Sequence, residues 1–147
     1  MYTKILVPLD GSERAETILP HVKELARRMG SALLFLRVVE PIYDVIDPHG
    51  TVVQIAGDLM EKLEQEAAAY VNRLAGEFKG GGLKAEATVE TGTVVNTIIQ
   101  VAEREGVDLV AMASHGRTGL ARVFYGSVAA GVLHRIDRPL LLIRAEG

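Results

Sequence analysis

Short apolar runs alternate with longer stretches of helical spacing along this chain. Residues 3–9, TKILVPL, are closed by Asp10-Gly11-Ser12, which predicts a buried strand ending in a turn where Ser12 or Asp10 caps a helix. Ile18, Val22, Leu25, Ala26 and Met29 then recur at helical spacing up to Gly30, a natural helix stop, and Pro20 predicts a bend inside that helix. ALLFLRVVE, residues 32–40, is apolar almost throughout, as expected of a strand covered on both faces.

Residues 40–57 show no clear period, yet they carry Ile42, Tyr43, Val45, Ile46, Val52, Val53 and Ile55. A segment this long and apolar suits a lid, a short helix or part of an interface. From Asp58 onward, Leu59, Leu63, Ala67, Tyr70 and Leu74 trace one stripe of an amphipathic helix that Gly80-Gly81-Gly82 ends. In KAEATVETG, Ala85, Ala87 and Val89 alternate with Lys84, Glu86, Thr88 and Glu90, the pattern of a strand with one wet face at a sheet edge. A third helix over 94–105 is expected to bury Val95, Ile98, Ile99 and Ala102; Gly106 ends it before the strand VDLVAMAS. A fourth helix opens at Gly126-Ser127, burying Val128, Val132 and Ile136, and LLLIR follows Pro139 as the last strand.

Five strands alternating with four helices predict an α/β fold: a doubly wound, five-stranded, mainly parallel sheet with helices on both faces and right-handed crossovers. A chain of 147 residues, 48% hydrophobic, has the size and core of a single domain spanning 1–147. Its formal charge of -3 lacks the basic footprint of a nucleic-acid binder. Without cysteine it has no disulfides, thiolate metal sites or cysteine nucleophile. The strand pattern begins almost at Met1 with no signal-type segment, and no apolar stretch approaches the roughly 18 residues of a membrane span. A soluble, cytoplasmic protein is expected.

Ligands of open α/β sheets bind beyond the carboxyl ends of the strands where strand order reverses. Two turns sit at such ends, PLDGS after the first strand and ASHG after the fourth; if these strands are neighbours, Asp10 and Gly116 line one crevice. Gly116 lets its backbone N–H approach an anion closely. After nine intervening residues Gly126-Ser127 starts a helix whose first N–H groups have no partners, and the Ser127 hydroxyl adds a donor. Arg117 and Arg122 lie on the intervening arch, within reach of a terminal phosphate. Each feature also has a bland reading as a turn, a cap or a solvated surface residue, and Asp10 is either a helix cap or an acceptor for the exocyclic amine of a purine. No G-x-x-x-x-G-K-[ST], no G-x-G-x-x-G after the first strand and no nucleophile elbow at Ser12 occur, which disfavours P-loop NTPases, dinucleotide enzymes and serine hydrolases.

KILVPLDGSERA, MASHGRTGLARVFYGSVAAGVL and RPLLLIR, in that order, resemble the universal stress proteins over essentially the whole chain. The ATP-binding branch of that family carries G-x2-G-x9-G-[ST]; Gly116, Gly126 and Ser127 match it, whereas Ala113 stands in place of the first glycine. If that position requires a glycine-only backbone, alanine costs on the order of 1 kcal/mol there. That is roughly five- to tenfold in affinity.

The resemblance implies a Rossmann-like fold and ATP as ligand, accompanied by magnesium or manganese, with no protein-supplied metal site. It implies that Asp10 and the backbone around Val38 hold adenine against Pro8. Met112 and Ala113 would lie near the ribose, and His115, Gly116, Arg117, Gly126, Ser127 and Val128 along the phosphates. It also implies a homodimer serving stress adaptation with little or no turnover. Independently, Leu140, Leu141, Leu142 and Ile143 form an apolar, non-alternating run at the expected far edge of the sheet, which invites a partner chain; the alternative is a strand buried under helices. Two functional readings stand beside each other: an ATP-binding dimeric module, and a dimeric protein-interaction module that has lost ATP. A third, slow ATP hydrolysis or autophosphorylation, lacks any evident base or attacking group.

Overall fold

Apolar runs too short for helices supply four of the five strands, and the alternating KAEATVET supplies the other. The structure, a computed structural model, describes residues 1–42, 51–115 and 126–145, the side chains of 51–55 and 115 excepted. The strands are β1 (Lys4–Pro8), β2 (Ala32–Val39), β3 (Lys84–Thr91), β4 (Leu109–His115) and β5 (Leu140–Ala145). They form one sheet in the order β3-β2-β1-β4-β5, and every neighbouring pair is parallel. The expected mainly parallel sheet is thus wholly parallel. Strand order reverses between β1 and β4, which pair through Ile5 with Leu109 and Leu6 with Val110.

The helices are α1 (Leu19–Met29), α2 (Thr51–Gly80), α3 (Val94–Arg104) and α4 (Ser127–Arg135). Alternation along the strands divides the core in two. Ile5, Val7, Leu33, Phe35, Leu109 and Ala111 face Val22 and Ala26 of α1 and Val71, Leu74 and Phe78 of α2. Leu6, Leu34, Leu36, Val110 and Met112 face Ile98, Val101 and Ala102 of α3 and Ala129 and Val132 of α4. In the first cluster Phe35 and Phe78 meet edge to face, 5.0 Å between centroids and 73° between planes, the arrangement that aromatic quadrupoles favour. This is the doubly wound architecture, with β3 at one edge and β5 at the other.

Several local expectations are corrected. Pro20 does not bend a helix interior: a 3-10 turn, Ala15–Ile18, precedes α1 and puts proline in the helix's first turn. There its missing N–H would have had no intrahelical acceptor. Gly30, at φ 68°, adopts the left-handed C-cap that only glycine takes freely, and its N–H donates to Ala26 O at 2.9 Å. The helix expected from Asp58 begins at Thr51, so the segment 40–57 is helical over its last seven residues, while 43–50 lie outside the described residues. Leu59 is 45% exposed and Met29 41%, so neither joins the core stripe assigned to it. In α3 the buried face is Thr97, Ile98, Val101 and Ala102, with Val95 and Ile99 only half-buried. In α4, Ala129 and Val132 are buried while Val128 and Ile136 are half-buried. Position in the sheet rotates each helix to its own optimum, which spacing alone leaves free by about one residue.

Candidate functional site

β1 ends in Pro8, and the chain turns immediately through Leu9, Asp10, Gly11 and Ser12. The turn is built by side chains. Asp10 Oδ1 accepts the Ser12 N–H at 2.9 Å and the Ser12 hydroxyl at 2.6 Å, and Ser12 Oγ in turn accepts the Ala15 N–H at 3.1 Å. Asp10 and Ser12 therefore divide the capping role considered for either: aspartate closes the turn, and serine caps the 3-10 segment. Gly11 at φ 87° occupies the left-handed region that a side chain disfavours. A Cβ on Gly11 would lie 2.8 Å from Arg37 Nη1, so a side chain there would also displace the end of Arg37.

The turn borders a cavity of about 260 Å³, near the lower end of the roughly 300–1,000 Å³ of small-molecule sites. It opens between β1 and β4 at their carboxyl ends. Pro8, Asp10, Ser12 and Arg14 line it from the first strand and turn; Leu36, Val38 and Glu40 from β2 and its exit; Met112, Ala113 and Ser114 from β4. Val94 and Ile98 of α3 and Ser127, Val128 and Ala129 of α4 complete the wall. Strand alternation explains the choice. Pro8, Leu36, Val38, Met112 and Ser114 share the parity of the residues packed on α3 and α4, and the cavity is that layer's continuation past the strand ends.

Of the residues singled out from sequence, Pro8, Asp10, Val38, Met112, Ala113, Ser127 and Val128 all line this cavity. Gly126 is the N-cap of α4, with φ -61° and ψ 164°, and its carbonyl accepts the Ala130 N–H at 3.0 Å. That is extended backbone open to any residue, so the value of glycine here lies in close approach to the helix start, and conformation does not require it. Among the described residues no side chain caps α4, and the N–H groups of Ser127, Val128 and Ala129 lie ahead of the first intrahelical bond. His115 ends β4 opposite Ala145, but its side chain, Gly116, Arg117 and Arg122 lie outside the described residues.

Ala113 is an ordinary strand residue paired with Ile143. Among the described residues no non-glycine has a positive φ, so the glycine-only conformation on which the alanine penalty depended is not used at this position. Sequence reasoning missed Ser12 and Arg14 as wall residues, and Leu36, Glu40, Val94, Ile98 and Ser114 altogether. The turn sequence DGSER signalled the first two; the others come from strands and helices that only the topology brings together.

Partial desolvation pushes the Asp10 carboxyl up, but the hydrogen bonds from Ser12, the backbone and the nearby Arg37 charge outweigh it and hold the group below its ordinary value. Asp10 is therefore an anion, an acceptor-only group. Both Ser12 bonds fall on Oδ1, which leaves Oδ2 for a donor from a ligand. No group of three or more His, Cys, Asp or Glu able to hold a metal occurs among the described residues. No helix among them is long and apolar enough to cross a membrane.

The cavity lies at the reversal of strand order, beside the Asp10 turn and the start of α4, the place where domains of the doubly wound α/β class take their ligands. The family model for the universal stress protein family matches residues 1–144, and the chain belongs to that family. The universal stress protein MJ0577 of Methanocaldococcus jannaschii is 30% identical over 157 residues, covering 99% of this chain and 97% of the relative. A solved structure of MJ0577 superposes with a TM-score of 0.82 at 31% identity, covering 100% of this chain and 99% of the other. UspA of Lactobacillus plantarum has a TM-score of 0.81 at 22% identity, covering 97% and 98%. The universal stress protein of Archaeoglobus fulgidus, solved in complex with dAMP, has a TM-score of 0.62 at 18% identity, covering 97% and 98%.

Proposed function

We propose that this universal stress protein binds ATP in the cavity between β1 and β4 and acts as a dimeric, nucleotide-responsive module with little or no turnover. The observation that carries the reading is the pairing, in one cavity, of the anionic Asp10 turn with the start of α4 at Ser127, which no side chain among the described residues caps. The first accepts a hydrogen bond from the exocyclic amine of adenine, and the apolar Pro8, Val38 and Met112 enclose the base. The second offers N–H groups and the positive end of a helix to phosphates. A universal stress protein of like fold was solved in complex with dAMP, which supports an adenine nucleotide as the class of ligand. Magnesium or manganese would arrive with the triphosphate, coordinated by its oxygens.

Turnover needs a group that activates or positions an attacking water. The carboxylates among the described cavity residues are Asp10, which already accepts two bonds from Ser12, and Glu40 at the β2 exit.

Titration calorimetry with ATP and magnesium tests the reading, with Gly126→Val as the control. Binding by the wild type and its loss in the variant are expected, because branched carbons at the N-cap would block approach to the α4 amides. No heat from the wild type would end the ATP assignment and leave the interaction-module reading. For the dimer, the supporting observation is the β5 edge, where Leu140, Leu141, Leu142 and Ile143 are half-buried in the single chain and β5 pairs only with β4. Light scattering at micromolar protein should give twice the chain mass, and Ile143→Lys should give the chain mass alone.

A further inference from the structure

Arg37 is the one charged residue within β2, whose sequence is ALLFLRVV. Its neighbours Leu36 and Val38 line the cavity, and alternation sends Arg37 to the opposite face, the side of Phe35 and α2. From behind the sheet its guanidinium reaches up to the turn: Nη1 would lie 2.8 Å from any Cβ placed on Gly11, the residue between Asp10 and Ser12. The guanidinium carbon is 5.2 Å from the centroid of the Tyr70 ring, and Arg73 stacks on the same ring at 5.5 Å. Tyr70 in turn donates its hydroxyl to Glu16 Oε2 at 2.7 Å, in the 3-10 segment that follows the turn. Arg37 Nε is buried and has no hydrogen-bond partner among the described residues.

We infer that Arg37 is a positioning residue for the nucleotide site, bracing the Asp10-Gly11-Ser12 turn from the far face of the sheet. The inference rests on the ATP reading for its ligand, but the Arg37–Asp10 coupling belongs to the free protein. A turn at a strand exit has few contacts of its own. Here Ser12 fixes the carboxylate from one side, and the Arg37 guanidinium, held over the Tyr70 ring, packs against Gly11 from the other. Gly11 serves both needs, since a side chain there would push the guanidinium off the turn. The charged and titratable groups around this assembly are Asp10, Glu16, Tyr70 and Arg73 on the Arg37 side, and Arg14 and Glu40 on the cavity side.

The test uses the full chain with carbon-13 at aspartate, following the Asp10 carboxyl by NMR from pH 2 to 7, with ATP-magnesium calorimetry at pH 7 alongside. In Arg37→Met the Asp10 titration moves to higher pH and ATP affinity falls about fivefold. In Arg37→Lys, which keeps the charge but loses the planar stack, the titration returns toward wild type while affinity recovers only in part. Should the methionine variant fail to fold, Arg37→Gln carries the same expectations. An Asp10 titration unchanged in the neutral variant overturns the coupling, and unchanged ATP affinity overturns the positioning role. A wild type that does not bind ATP defeats the functional reading instead, and the titration still decides whether Arg37 sets the state of Asp10.

Discussion

Ala113→Gly restores the glycine that the ATP-binding pattern of the family carries at this position, and its effect follows from the geometry of β4. Ala113 pairs with Ile143 in regular register, and no described non-glycine residue has a positive φ. The roughly 1 kcal/mol that an alanine would store in a left-handed conformation is therefore not there to be released. The side chain also shares its parity with Ala111, which packs toward α1 and α2, whereas Met112 lies with the α3 and α4 layer that the cavity continues. The methyl is thus directed away from the main volume of the cavity. Glycine within a strand loses more backbone entropy on folding than alanine, about 0.5–1 kcal/mol. The expected outcome is a loss of stability of that size in urea unfolding, with ATP affinity by calorimetry changed less than about threefold. A five- to tenfold gain in affinity with stability unchanged would show that the methyl obstructs the ribose after all, and the strand-based reasoning would be refuted.

Asp10→Ala removes the acceptor of both Ser12 hydrogen bonds and the anion facing the cavity, and should weaken ATP binding about tenfold or more; calorimetry showing equal affinity would remove Asp10 from the site. Gly131→Ala places a Cβ 2.7 Å from Val95 Cγ2 where α4 crosses α3, and overpacking of this kind costs about 1–3 kcal/mol. Denaturant unfolding should show that loss, and adding Val95→Ala should recover most of it; a double variant as unstable as the single one would place the strain elsewhere. Desolvation raises the Asp108 carboxyl, but hydrogen bonds from the Thr3 and Lys4 N–H groups and the Thr3 hydroxyl, at 2.8 to 3.0 Å, outweigh it and hold it below its usual value. With a depressed folded value, this stabilisation is fully present above about pH 4 and is lost as pH falls through the folded value. Melting temperatures between pH 2 and 6 should fall less steeply in Asp108→Asn than in the wild type, and parallel curves would exclude this carboxylate as a source of acid lability.

Local chemistry was enough to reveal the number, type and order of the elements. A strand shows in a short run of branched apolar residues and a helix in a 3.6-residue period, because backbone sterics impose both before any tertiary contact forms. The same reasoning marked β3 as an edge from its alternation, and the turns after β1 and β4 as the place for a ligand. Pro8, Asp10, Val38, Met112, Ala113, Ser127 and Val128 all line one cavity.

Tertiary structure decided what period cannot carry. The seven residues before Asp58 are helical although they show no periodic signal, and Pro20 falls in a first turn because a 3-10 segment precedes it. Which residues of α3 turn inward depends on the sheet beneath them, so Thr97 is buried and Val95 only half so. Leu36, Ile98 and Ser114 carry no mark of a binding site; they share a wall because β2, α3 and β4 converge at the reversal of strand order. Arg37 reads in sequence as a charge interrupting a buried strand. Its place beneath the Asp10 turn is settled by which face of the sheet α2 covers, since side chains one residue apart on a strand point to opposite sides, and only the packed helices say which side is which.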